Sequence, residues 1–311
     1  MNTSSNATPE LPVGSKLLTA RSNAVTQPLY WSACRELWEN RSIYIVPLIV
    51  AAVQVFGFAI SAIGLAERRR DVLLLDPVKQ RAGIEVPYDV AAMMMIFIVF
   101  IIGVFYCLDA LYGERRDRSI LFWKSLPVSD AASVLAKLTV PLMILPIIAF
   151  AVIVVTQLIM LLMTSVVLVS HGMSPATTWT RVPFFQNWLV LLYGLVAIAL
   201  WHAPIYAWAL LVSGWVRRAT FLWAVLPPFA IAIFEKITFN TSYVSALLKE
   251  RVFGFAPNAF DFGGHRGITV DSFVQLTPGR YLSTPGLWIG LIFAAAFVIA
   301  AIRLRRYRGP L

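Results

Sequence analysis

Charge is scarce in this chain, and so are the residues that do chemistry. Of 311 residues only 14% are Asp, Glu, Lys or Arg, while 59% are hydrophobic. With a mean hydropathy of +0.75, a water-soluble domain of this length is excluded. There are two cysteines, Cys34 and Cys107, in different segments; they form no disulfide framework and read as small apolar residues. The three histidines, His171, His202 and His265, make no His-Glu-x-x-His motif and no close metal spacing, so no metal site is expected. His202, beside Trp201 and Pro204, reads as a hydrogen-bonded packing residue. No Gly-x-x-x-x-Gly-Lys-Ser/Thr loop occurs, so the chain has no phosphate-loop ATPase site of its own. The run Gly263-Gly264-His265-Arg266-Gly267 lacks a preceding strand and reads as a turn. Residues 1–27 lack the apolar core of a signal peptide and read as a disordered cytosolic tail. The net charge is +10, yet no basic helix is interleaved with exposed aromatics, so nucleic acid is not an expected partner.

What the chain has in abundance is long apolar runs. Lipid gives backbone amides no hydrogen-bond partner, so only helices and closed barrels cross it. The runs reach the ~20 residues a helical span needs and lack the period-two alternation of a barrel. The expected fold is an all-α polytopic membrane protein with six spans, near 43–65, 90–111, 138–170, 188–215, 220–234 and 285–302. Pro141, Pro146, Pro204 and Pro227-Pro228 lie inside spans, where each removes a backbone donor and bends the helix. With both termini on one side, that side holds 15 Lys and Arg and the other holds 11. The short segments Arg217-Arg218 and Arg303 to Arg308 decide the orientation, and both termini are expected in the cytoplasm.

Three segments outside the spans stand out. In 29–40, Tyr30, Cys34, Leu37 and Trp38 share one helical face, with Trp31 adjoining, while Glu36 and Glu39 lie elsewhere. This suits a helix in the membrane interface. The segment 238–284 is expected on the outer side, with an amphipathic helix over 242–253 and irregular chain beyond. The third segment joins spans two and three. A charged stretch, Glu114, Arg115, Arg116, Asp117, Arg118, leads into Ser119 and an apolar patch of Ile120, Leu121, Phe122 and Trp123, followed by Lys124, Leu126 and Pro127. Ser129 or Asp130 is placed to cap the next helix. A helix that short does not stand alone, so headgroups or another protein must cover its bulky groups.

The pattern Tyr112-Gly-Glu-Arg-Arg-Asp-Arg-Ser119, then Phe122-Trp-Lys-Ser-Leu-Pro-Val-Ser129, resembles the first cytoplasmic loop of ABC type-2 transporter permeases. More narrowly it is similar to the branch with multicopper-enzyme-maturation, bacitracin-resistance and sodium-export permeases. Arg35-Glu-Leu-Trp38 before span one, Trp201-His-Ala-Pro-Ile-Tyr206 and Val216-Arg-Arg-Ala219 also look like this branch, and the resemblance covers about 28–308. It implies a permease domain that pairs with a second permease subunit, as homodimer or heterodimer, in a bacterial cytoplasmic membrane. It implies a separate ABC ATPase that binds ATP and Mg, so this chain is not itself an enzyme. It further implies that 114–128 carries a coupling helix that docks on the ATPase, with Phe122 and Trp123 as anchors and the charged stretch setting register.

A stand-alone secondary transporter or channel is the rival. It requires buried charge or paired broken helices near mid-membrane, and the spans show little of either. Asp109 and Glu235 lie near span ends and read as structurally paired. Gly286-x-x-x-Gly290 matches a small-residue packing motif that is common by chance. An intramembrane enzyme has no Ser/His, paired Asp or metal constellation to use.

Overall fold

The computed structural model describes residues 30–125, 128–261 and 273–308. The tail 1–27, Leu126, Pro127 and the glycine-rich run 263–267 lie outside them. Helix α1 covers 30–39. α2 (Ser42–Ser61) passes through a single 3-10 turn (Ala62–Gly64) into α3 (Leu65–Leu73). α4 (Pro77–Arg116) leads to the short α5 (Ser119–Ser125). α6 (Asp130–Thr139) continues through a π-turn (Val140–Ile144) into α7 (Leu145–Ser170). α8 (Ala176–Arg181), α9 (Phe184–Trp215), α10 (Thr220–Phe239), α11 (Tyr243–Phe253), α12 (Phe255–Ala259), α13 (Pro278–Ser283) and α14 (Pro285–Tyr307) follow. Among the described residues the β structure is one bridge, Phe260 to Leu276.

Six helical stretches are long and apolar enough to cross a membrane: Ser42–Leu73, Lys79–Arg116, Asp130–Ser170, Phe184–Trp215, Thr220–Phe239 and Pro285–Tyr307. Each of the six apolar runs lies within one of them, but the helices run on past the runs. α4 has 40 residues, about 60 Å at 1.5 Å per residue, which is twice a hydrocarbon core of about 30 Å. The charged residues at its two ends are helical because the ladder, once nucleated in the apolar part, propagates at one bond per residue. Pro77 and Pro285 sit in the first turn of α4 and α14, where a missing N–H costs nothing. Pro141 lies within the π-turn and Pro146 just after it. Neither can donate back along the helix, and the wider turn absorbs the fault.

The main core gathers around α9. Two thirds of its most apolar window is buried, against α4 through Met95 to Leu111, α7 through Leu145 to Ile153 and α14 through Ala294 to Ala301. Small residues allow the close approach: a Cβ at Gly103 would lie 2.9 Å from the Tyr206 ring and 3.3 Å from Pro141. A second core at the far end joins Phe58, Tyr88, Met160 and Phe184. α10 is the opposite case and buries none of its residues.

The described parts of the 243–283 segment, 243–261 and 273–283, fold back on α9. Trp201 Nε1 donates to Glu250 O at 3.2 Å, His202 Nε2 to Val252 O at 3.0 Å and Tyr281 Oη to Ala197 O at 2.7 Å. Arg251 donates to Trp201 O and Gly286 O. Glu235 accepts from Thr241 Oγ1 and from the Tyr243 and Val244 amides, each at 2.7 Å. It is therefore the acidic cap of α11, in the place where a carboxylate meets the free amides of a first turn.

Candidate functional site

The site lies at the end of the bundle where α1 and the last turn of α14 meet. α1 turns Ser32 and Glu36 inward, while Tyr30, Trp31 and Trp38 face out, Trp38 with 72% of its surface exposed. The inward line therefore runs through Glu36, not along the Tyr30–Cys34–Leu37–Trp38 face. Leu37 is half-buried against the main core.

Glu36 has a side chain 1% exposed, and its partner Lys137, on α6, is 2% exposed. Lys137 Nζ donates to Glu36 Oε1 at 2.8 Å, Arg35 donates to the same oxygen at 2.7 Å, and Tyr106 Oη donates to Oε2 at 2.8 Å. Lys137 also lies 3.2 Å from Glu114 Oε1. Arg305 of α14 donates to Glu114 Oε2 at 3.0 Å and to Asp130 Oδ1 at 3.1 Å. Arg35 closes the ring at 3.6 Å from Glu114 and 3.6 Å from Glu39. Three cations and three inward carboxylates thus interlock α1, α4, α6 and α14. Buried charges are tolerable only when paired and hydrogen-bonded to this degree. Burial pushes the Glu36 carboxyl up, and Lys137 and Arg35 outweigh it, holding the group below the usual carboxylate range.

The short helix α5 is rooted in this cluster. The Arg35 guanidinium sits 3.8 Å above the Trp123 ring, a cation–π contact between α1 and α5. Ile120 is buried, whereas Leu121 and Phe122 are 58% and 60% exposed. Phe122 meets Trp123 edge-on. Ser119 Oγ donates to Glu114 O. The link from α4 is two residues long because Arg118 adopts φ +58°, a left-handed turn. At the next helix Ser129 Oγ accepts from the Ala132 amide at 3.1 Å, so Ser129 is the cap.

The charged stretch therefore divides. Glu114 and Arg115 face inward and are unavailable as surface charges. Arg115 donates to Gly214 O at 2.9 Å and Val216 O at 3.3 Å, and Arg308 donates to Trp215 O. These two cap the carbonyl end of α9, as cations do at a helix C-terminus. Arg116, Asp117 and Arg118 remain exposed. Arg116 pairs with Asp117 at 3.0 Å and lies 3.9 Å from Asp109, which is itself on the surface. Trp123 lies half-buried under Arg35, so Leu121 and Phe122 form the exposed apolar tip. The Lys124 side chain lies outside the described residues, as do Leu126 and Pro127.

The sequence pattern did not bring Glu36, Lys137, Asp130 and Arg305 together: Asp130 read as a cap candidate, Arg305 as a topology signal and Glu36 as lying off the apolar face of its helix. The available signal was Lys137 itself, a lone cation between Ala136 and Leu138 at the mouth of an apolar run, which demands a buried partner. Among the described residues no group of His, Cys, Asp and Glu is arranged to hold a metal ion. The chain matches no protein-family model and no curated protein.

Proposed function

We propose that this chain is the membrane-spanning permease subunit of an ATP-driven ABC transporter of the type-2 class, working as an exporter with a separate ATPase. The observation that carries the proposal is α5. It is a seven-residue helix that exposes Leu121 and Phe122 beside Arg116 to Arg118, and its root is tied by ions to four other helices. A push on α5 passes through Arg35 and Glu114 into α1, α4, α6 and α14 together, which is what a coupling element between an ATPase and a bundle must do. The apolar tip fits a cleft on the ATPase, with the exposed charges setting orientation. ATP and Mg belong to that partner. α1, with Tyr30, Trp31 and Trp38 outward, suits the interface of the cytoplasmic leaflet, and the arginines at 217–218 and 303–308 support termini on the cytoplasmic side. A second permease subunit, paired as a dimer, is part of the same proposal, and α10, with no buried residue, is the helix with most surface to offer it.

The test is co-purification. Leu121→Ala with Phe122→Ala is expected to abolish capture of the ATPase encoded beside this chain, while the permease stays folded in the membrane. Undiminished capture by the double variant refutes the docking role. Transport by the purified chain alone refutes the class.

A further inference from the structure

At the end opposite the termini Arg69 is a buried cation beside the exposed Arg68 and Arg70. Of the charged residues around the α3–α4 corner, Arg68 bonds to Ser61, Lys79 lies 3.5 Å from Asp76 and Arg81 pairs with Glu85 at 3.1 Å. Arg69 is 7% exposed, and none of the described residues gives it a hydrogen bond or an ion pair. A guanidinium carries five donors and is always charged. Its nitrogens are not among the fully enclosed atoms that lack a partner, so the guanidinium is open to an anion from outside the chain.

Its surroundings say which kind. The α2 face that starts at Leu48 runs through Ala52, Val55 and Ala59 and continues as Ala62, Ala66 and Arg69, at alternating steps of four and three that keep one side of a helix. From Leu48 to Ala59 this face and the Ala151–Ile159 part of α7 line an apolar groove of about 610 Å³. That is within the roughly 300–1,000 Å³ of small-molecule sites. Arg69 stands beyond the groove's upper end. Helical side chains lean toward the N-terminus of their own helix, which carries this one back toward the groove. Arg69 lies near Tyr88, and Tyr88 in turn packs 6.3 Å from Phe58 and bonds Thr164 Oγ1 at 3.1 Å. Ten residues, about 15 Å of helix, separate Ala59 from Arg69, and the Phe58–Tyr88 contact lies between the groove's upper end and the cation. The groove lies in the most apolar part of the span, and Arg69 lies in the charged turn just past it, at headgroup height.

We propose that the groove between α2 and α7 and the Arg69 guanidinium together form a binding site for an anionic phospholipid of the leaflet opposite the termini, one acyl chain in the groove and the phosphate on Arg69. The proposal concerns binding and stands whether or not the chain is a permease.

The experiment uses the full chain in phosphatidylcholine nanodiscs with a diazirine-bearing phosphatidylglycerol or, separately, phosphatidylcholine of the same chains, and maps the labelled peptides. Residues 48–59 and 151–159 are expected to take the phosphatidylglycerol probe at least about fivefold over the neutral one, the scale of one charge-assisted contact. Arg69→Gln is expected to bring that ratio to about one, and Arg69→Lys to keep part of it, because a point charge replaces a fork. Ala52→Trp, at an exposed position of the groove, is expected to lower labelling by both probes. A ratio near one in the unaltered chain overturns the proposal, as does an undiminished ratio in Arg69→Gln. Displacement of the label by millimolar glycerol 3-phosphate also overturns it, by making the ligand a soluble anion. Should Arg69→Gln fail to fold, the unaltered ratio and Ala52→Trp decide the matter.

Discussion

The two ends of the bundle are joined by different physics. At the termini end, α1, α4, α6 and α14 meet through buried ions: Glu36 with Lys137 and Arg35, and Glu114 with Lys137 and Arg305. At the far end the described contacts among α4, α7 and α9 include several between neutral groups. Gln157 donates to Tyr88 O at 3.1 Å and accepts from Trp188 Nε1 at 2.8 Å, and Tyr88 packs edge-on against Phe184 at 5.3 Å. The Arg81–Glu85 pair at that end lies within α4, and Asn187 of α9 donates to Glu85 at 3.4 Å. An ionic junction is intolerant of a missing partner and specifies one arrangement of its members. A neutral junction degrades gradually. The difference suits a termini end that moves as a unit and a far end that holds the helices while it does.

The largest effect should come from breaking the ionic junction on one side only. Lys137→Met leaves Glu36 and Glu114 facing one another in a buried site and is expected to cost about 3–5 kcal/mol. The readouts are thermal unfolding in detergent and new tryptic cleavage at Arg35 and Arg41 as α1 comes away. Pairing it with Glu36→Leu removes charge from both sides and is expected to restore most of the loss. A single variant as stable as the double one would mean that the ions contribute nothing to holding α1.

Acid should separate the two ends next. The Glu36 carboxyl is held below its ordinary 4.5, so its contribution is complete above that value and is lost as pH falls through the depressed one. Tyr106, Arg35, Lys137, Glu39 and Glu114 all face it, and only the carboxylates change charge in that window. Protection of the α1 amides from hydrogen exchange is expected to fall below about pH 4 before that of α7 around Gln157. Simultaneous loss at both ends would remove the distinction. A smaller effect belongs to the far end: Gln157→Leu strands the Trp188 N–H and is expected to cost about 1–3 kcal/mol, leaving tryptic cleavage near α1 unchanged.

How much of this was legible in sequence follows from the same contrast. The six spans were legible because burial in lipid demands unbroken apolar length, which one chain displays directly. Their ends were not, because Lys79 to Val90 and Asp130 to Lys137 are helical through propagation and tertiary contact while their composition is mixed. The α5 segment was legible as a short amphipathic stretch between breaks. The ionic cluster was not, since Glu36 and Lys137 lie 101 residues apart and Glu114 and Arg305 lie 191 apart. Taken singly they look like the charges that flank any span. Asp109 drew notice as an ionisable residue near a span and proved to be on the surface. Lys137, one residue before the run, was the buried one.

Left-handed turns repeat the contrast at the scale of single residues. At the far end the positive-φ positions are Gly172 at +69° and Asn240 at +50°, residues that adopt this conformation readily. At the termini end they are Arg118 at +58° and Ala219 at +55°, which do not. An L-residue there costs about 1–2 kcal/mol, and glycine returns roughly 0.5–1 kcal/mol of that through its freer unfolded chain. Arg118→Gly and Ala219→Gly are each expected to stabilise by up to about 1 kcal/mol, whereas Gly172→Ala is expected to destabilise. Melting temperatures of the three variants test this directly. If both termini-end glycines stabilise yet Arg118→Gly alone weakens capture of the ATPase, then the strained arginine is kept for its exposed charge and not for its turn. If Ala219→Gly weakens capture equally, a rigid backbone at both helix junctions is what the stroke requires.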